Sequence, residues 1–109
     1  MGYGCNNPIY FHHAQIMIYN GMMDVIIAWP LTESFLTSMT DWKDRNTYMD
    51  TQRIKWMGSN GQDLAGYAKV VGNFTQVLVR NAGHMVPYDQ PKAAWDMISR
   101  FTRGKKFSD

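Results

Sequence analysis

An α/β fold built as an incomplete sheet with flanking helices is predicted by three observations. Ile16-Met17-Ile18-Tyr19 is a short continuous apolar run stopped by Asn20-Gly21. Two β-rich runs, Leu64 to Val71 and Phe74 to Arg80, flank the turn dipeptide Gly72-Asn73. Helix-period patterns open at Pro30 and Pro91.

The first run reads as a strand buried on both faces, as in a parallel sheet covered by helices. Functional residues in such sheets sit just beyond strand carboxyl ends, and Asp24 follows this one closely. Pro30 suits a helix opening because its missing N–H would lack an intrahelical partner there anyway. Leu31, Phe35 and Met39 recur at four-residue spacing on one face, which predicts a helix to about Met39. Residues 40–53 mix Asp41, Lys43, Asp44, Arg45, Asp50 and Arg53 with Trp42 and Tyr48, an exposed connection from which Trp42 packs down. Ile54 to Met57 reads as a strand ending at Gly58-Ser59-Asn60-Gly61. Gly72-Asn73 supplies the positive φ of a tight hairpin turn. The last helix is expected from about Pro91, burying Ala94, Met97, Ile98 and Phe101 and stopping at Gly104 after Arg100 and Arg103, which suit a negative helix end. No internal repeat is visible.

A chain of 109 residues can form one domain but hides only ~65% of its unfolded surface, so its core has little reserve. Hydrophobic residues make up 45% of it, including nine methionines and four tryptophans. That is far from a disordered composition and heavy for so short a chain, which implies elements that pack against something outside it. The net charge is +2, and the only basic cluster is Arg100 to Lys106, so no stripe tracks a phosphate backbone and nucleic acid is not an expected partner. Val25 to Leu31, the longest apolar run, falls far short of the ~20 residues of a membrane span, and the first residues show no charged n-region followed by an apolar h-region. Met1-Gly2 lacks the Ser or Thr that myristoylation requires at the sixth position, where Asn6 stands. Cys5 is the only cysteine, so no disulfide closes within the chain. His12 and His13 would face opposite sides of a strand, and no other His or Cys stands at ligand spacing, so neither a metal site nor a nucleotide cofactor is expected.

Chemistry concentrates in two turns. His84 sits in Asn81-Ala82-Gly83-His84-Met85-Val86-Pro87-Tyr88-Asp89-Gln90-Pro91, on a glycine-preceded turn between a strand and a proline-opened helix. Asp24 sits in a turn sixty residues earlier. An imidazole with an ordinary pKa near ~6.5 gains and loses a proton readily, and a carboxylate can hold its tautomer. By spacing alone, a polar loop residue at 84 and a turn residue at 24 would be the better reading of each.

The combination of Tyr19-Asn20-Gly21 and Asp24 with the stretch around His84 resembles the carboxyl-terminal part of the serine carboxypeptidases, an α/β-hydrolase family. Both motifs stand in the family's order, with a hairpin between them and a terminal helix after, and this reverses the odds for both residues. Asp24 to Trp29 is most similar to the vitellogenic and retinoid-inducible group. The resemblance covers about Ile16 to Gly104, so residues 14–109 are expected to be a carboxyl-terminal segment of a hydrolase domain behind a divergent stretch at 1–13. It implies Asp24 as triad acid, His84 as triad base, and Met85 as a lining residue for the substrate's carboxyl-terminal side chain. It also implies a peptide substrate and a secretory, lysosomal or extracellular location.

The nucleophile elbow Gly-x-Ser-x-Gly is not matched by Ser34, Ser38, Ser59, Ser99 or Ser108. Ser59 comes nearest, but it follows the acid, contrary to the fold's order. The isolated chain is therefore expected to be inactive, to need upstream sequence of the same domain as a partner, and to self-associate through a bare sheet edge. The alternatives are a non-catalytic binding module and a carboxypeptidase-like acyltransferase or lyase. Asn73-Phe74-Thr75 is a glycosylation sequon whose Asn73 sits in the hairpin turn.

Overall fold

The computed structural model describes residues 15–25, 28–59 and 61–108. Cys5, His12, His13 and the stretch at 1–13 lie outside the described residues. Four strands, β1 (Ile16–Gly21), β2 (Ile54–Trp56), β3 (Gly66–Val71) and β4 (Phe74–Val79), form one mixed sheet in the order β1-β4-β3-β2. Four helices accompany them: α1 (Trp29–Thr37), α2 (Arg45–Asp50), the short α3 (Val86–Asp89) and α4 (Pro91–Arg103).

The hairpin forms as its turn chemistry requires. β3 and β4 pair antiparallel with Val71 opposite Phe74, and Gly72 takes the positive φ of 57° that the two-residue connection needs. β2 adds antiparallel to β3. β1 joins the other side of β4 in parallel, from Ile16 opposite Phe74 to Gly21 opposite Val79. β1 and β4 therefore run the same way and finish level with each other.

Side-chain alternation divides the core between the two faces of the sheet. Ala68, Val77 and Val79 meet Val86, Ala94, Met97 and Phe107 on one face. Val71 and Phe74 meet Leu36 and Tyr48 on the other, with Ile18, Met39 and Trp42 packed against them. Trp42 does pack down, its ring centroid 5.2 Å from that of Phe74. Trp56 is fully buried and stands edge-on to Phe107 at 5.6 Å.

Four expectations are corrected here. β1 is not buried on both faces: it is an edge strand among the described residues, and Ile16 is 50% exposed. The strand hidden along its whole length is β4, whose central position outweighs the polar Thr75 and Gln76 in its sequence. α1 turns the opposite way from its apolar spacing, with Thr32 and Leu36 buried and Leu31 and Phe35 62% and 58% exposed. It stops earlier than Met39, where the Thr37 hydroxyl donates to the Glu33 carbonyl and that of Ser38 to the Phe35 carbonyl, both at 2.9 Å. Residues 40–53 are not only an exposed connection, because α2 buries Tyr48 completely. In α4 Ile98 is exposed, Phe101 is half-buried and Arg100 takes the inner position.

The last two corrections share a cause: polar side chains face the sheet where their partners wait. Arg100 donates from Nε to Asp96 Oδ2 at 2.7 Å and through its other nitrogens to the carbonyls of Lys106 and Gly58. The same Asp96 oxygen accepts the Trp56 indole N–H at 2.7 Å. Under α1, the Tyr48 hydroxyl donates to Glu33 Oε2 at 2.7 Å and lies 3.0 Å from Gln76 Oε1, and Arg53 Nη2 donates to the same two oxygens. Lys69 caps this cluster, donating to the Tyr48 carbonyl at 3.0 Å with its ammonium 4.1 Å from the ring centroid. Burial, then the neighbouring Glu33, pushes the Tyr48 phenol well above its ordinary value, and burial, then the Arg53 charge, holds the Lys69 amine below its own.

Candidate active site

Because β1 and β4 end side by side, the turns that follow them leave the sheet together. They are stitched by the N–H of Met22 donating to the Val79 carbonyl and that of Met23 to the Ala82 carbonyl, both at 2.9 Å. The Asp24 N–H returns to the Gly21 carbonyl at 3.1 Å, closing a tight turn. Gly21 is required by this approach: a Cβ on it would lie 2.2 Å from the Gly83 oxygen and 2.3 Å from that of Ala82.

On this frame Asp24 and His84, sixty residues apart, meet with Oδ2 and Nδ1 3.1 Å apart. The Asp24 side chain is almost hidden, at 4% exposure, while the imidazole is 47% exposed. A buried carboxylate accepts, so Nδ1 carries the proton in this pair and Nε2 is the nitrogen left to face a reactant. The Asp24 edge is walled in and the imidazole is reachable, which is the asymmetry that general base chemistry uses.

The loop bearing His84 is held from its far side. The Gly83 N–H donates to Asp89 Oδ2 at 2.7 Å, and Gln90 Nε2 donates to the Asn81 carbonyl at 3.2 Å. Asn81 takes a positive φ of 59°, a conformation its short polar side chain tolerates. Sequence reasoning missed Asp89 and Gln90, although both lie in the motif that carries His84. Their partners are main-chain groups, and spacing alone does not show which main-chain groups a side chain will meet.

Met85 is 64% exposed beside His84. Asn73 is exposed in the hairpin turn, at the opposite end of β4 from His84. Ser59 follows β2, and no serine of the described residues bonds to the imidazole. Two concavities, of about 350 Å³ by Thr75 and Phe107 and about 800 Å³ by Ile18, Phe35 and Trp42, lie away from the pair. Among the described residues no three His, Cys, Asp or Glu side chains gather as a metal site, and no helix is long and apolar enough to cross a membrane.

The family model for serine carboxypeptidases matches residues 6–104. The chain belongs to the serine carboxypeptidase family. Its relatives include the venom serine carboxypeptidase of Apis mellifera, 52% identical over 95 residues that make up 87% of this chain and 20% of that protein. The probable serine carboxypeptidase CPVL of Homo sapiens is 44% identical over 84% of this chain and 19% of its own length. The vitellogenic carboxypeptidase of Aedes aegypti is 43% identical over 83% and 18%, in keeping with the expected kinship to the vitellogenic group. The chain thus spans about a fifth of the length of these serine carboxypeptidases.

Proposed function

We propose that this chain supplies the acid and base of a serine-type carboxypeptidase, the carboxyl-terminal segment of an α/β-hydrolase domain whose nucleophile lies upstream. The observation that carries the reading is the 3.1 Å contact between Asp24 and the half-exposed His84 at the ends of two parallel strands. In this mechanism His84 Nε2 takes the proton of a serine hydroxyl as that oxygen attacks the carbonyl of the last peptide bond. The imidazolium, stabilised by Asp24, then gives the proton to the departing amine, releasing one amino acid and leaving an acyl-enzyme. His84 next takes a proton from water, which attacks the ester, and returns that proton to the serine oxygen as the C–O bond breaks and the shortened peptide leaves.

Met85 supports the reading as a flexible apolar wall for the departing residue's side chain, since it stands exposed beside the base. The exposed Asn73 fits an acceptor for an oligosaccharide on a protein of the secretory pathway, a location in keeping with the venom protein among the relatives. The edge position of β1 among the described residues and the apolar groove beside it fit a contact with the upstream part of the same domain. The 109-residue chain alone would be inactive and would bury that surface by self-association.

The test is a full-length carboxypeptidase carrying residues 15–108 of this sequence, offered a blocked dipeptide and the same dipeptide with an amidated carboxyl end. Release of the last residue from the free acid alone is the expected result; hydrolysis of neither peptide by the folded protein contradicts the reading.

A further inference from the structure

Asp89 grips the main chain on both sides of His84. Its carboxylate accepts the Gly83 N–H at 2.7 Å, and its own N–H donates to the Met85 carbonyl at 3.0 Å. The fit is close, since a Cβ on Gly83 would lie 3.3 Å from that same carboxylate oxygen. Gly83 shows no positive φ, so the position favours glycine for the room it gives Asp89. Gln90 adds a second tie through Asn81, and its N–H donates to the Val86 carbonyl at 2.8 Å.

We infer that Asp89 is a positioning residue for the base, holding the peptides before and after His84 so that the imidazole stays over Asp24. This rests on the functional reading above. A bond from an N–H to an ionised carboxylate is among the stronger hydrogen bonds, and small displacements of a reacting group cost rate steeply. The effect runs through the main chain, so an oxygen acceptor at residue 89 matters more than its charge.

The experiment uses the same full-length enzyme and measures kcat and KM for the parent, Asp89→Ala, Asp89→Ser, Asp89→Asn and His84→Ala, with circular dichroism and melting to count folded protein. Asp89→Ala removes the acceptor and should lower kcat by about 10- to 100-fold, with little change in KM. Asp89→Asn keeps an oxygen in place and should stay within about fivefold of the parent. Asp89→Ser, with a shorter reach, should fall between them and gives the same reading if Asp89→Ala does not fold. Parental kcat in folded Asp89→Ala or Asp89→Ser overturns the inference, and so does Asp89→Asn as damaging as the variants that lose the acceptor. If His84→Ala is inactive while Asp89→Ala is parental, only the positioning role fails. An active His84→Ala would remove the assignment of the base itself.

Discussion

Gly21 lies against the Gly83 main chain so closely that a Cβ on it would fall 2.2 Å from the Gly83 oxygen. The turn that carries Asp24 and the loop that carries His84 are therefore in backbone contact, and their spacing is set before either side chain is placed. Gly21→Ala must push the two apart. It should cost about 1–3 kcal/mol in stability, as overpacking generally does, and shift His84 relative to Asp24 enough to lower kcat in a full-length enzyme by about 10²-fold. Denaturant midpoints and kcat of Gly21→Ala against the parent check both; parental kcat would show that the loops have slack.

The buried Tyr48 cluster makes a prediction in the alkaline range. The folded phenol keeps its proton above pH ~10, where the unfolded one loses it. Its contribution is therefore fully present below that pH and lost as pH rises toward the folded value. Lys69 acts in the opposite direction, because its folded amine sheds its proton first and its burial penalty fades as pH climbs toward ~10.4. Tyr48→Phe separates the two. It should cost about 1 kcal/mol at neutral pH by removing a part-buried hydrogen bond to Glu33, whose oxygen Arg53 still serves, and the gap to the parent should narrow above pH 10. Urea unfolding at pH 7 and pH 10.5 measures it, and a gap that is constant with pH would contradict the account.

How much of this was legible beforehand depended on whether the signal was local. The hairpin turn announces itself because Gly72-Asn73 carries its own conformational requirement, whereas Asp24 and His84 are singled out by the family resemblance of the turns that carry them, their spacing alone favouring ordinary turn residues. On α1 the four-residue apolar spacing does not mark the inner face. Here Glu33 reaches inward to Arg53 and Tyr48 and leaves Phe35 outside. Arg100 displaced Ile98 from the inner face of α4 for the same reason: its partners Asp96, Lys106 and Gly58 come together only in the fold. The apolar run of β1 reads as doubly buried, yet strand order is a property of the sheet and leaves β1 at an edge, while β4 is buried throughout with Gln76 at its middle.

The 109-residue chain on its own should not be labelled by serine-directed phosphonates, since among the described residues no serine bonds to His84. It should also self-associate, because β1 presents an unpaired edge among the described residues with Ile16 and Tyr19 exposed. Ile16→Lys places a charge on that edge and should shift the distribution toward monomer in sedimentation velocity. A labelled serine, or a parent chain that is already monodisperse and monomeric, would contradict these expectations.

The central claim is that Asp24 and His84 work as one catalytic unit. The most direct test is kcat/KM on a blocked dipeptide for a full-length enzyme carrying this segment, with His84→Ala, Asp24→Asn and the double variant, each checked for folding by circular dichroism. Asp24→Asn should lower kcat by about 10⁴-fold, as loss of the orienting carboxylate does in a Ser-His-Asp triad. His84→Ala should lower it by about 10⁶-fold, with the double variant little worse because members of one unit do not act additively. A folded His84→Ala with near-parental activity, or a double variant whose loss is the product of the two single losses, would contradict it.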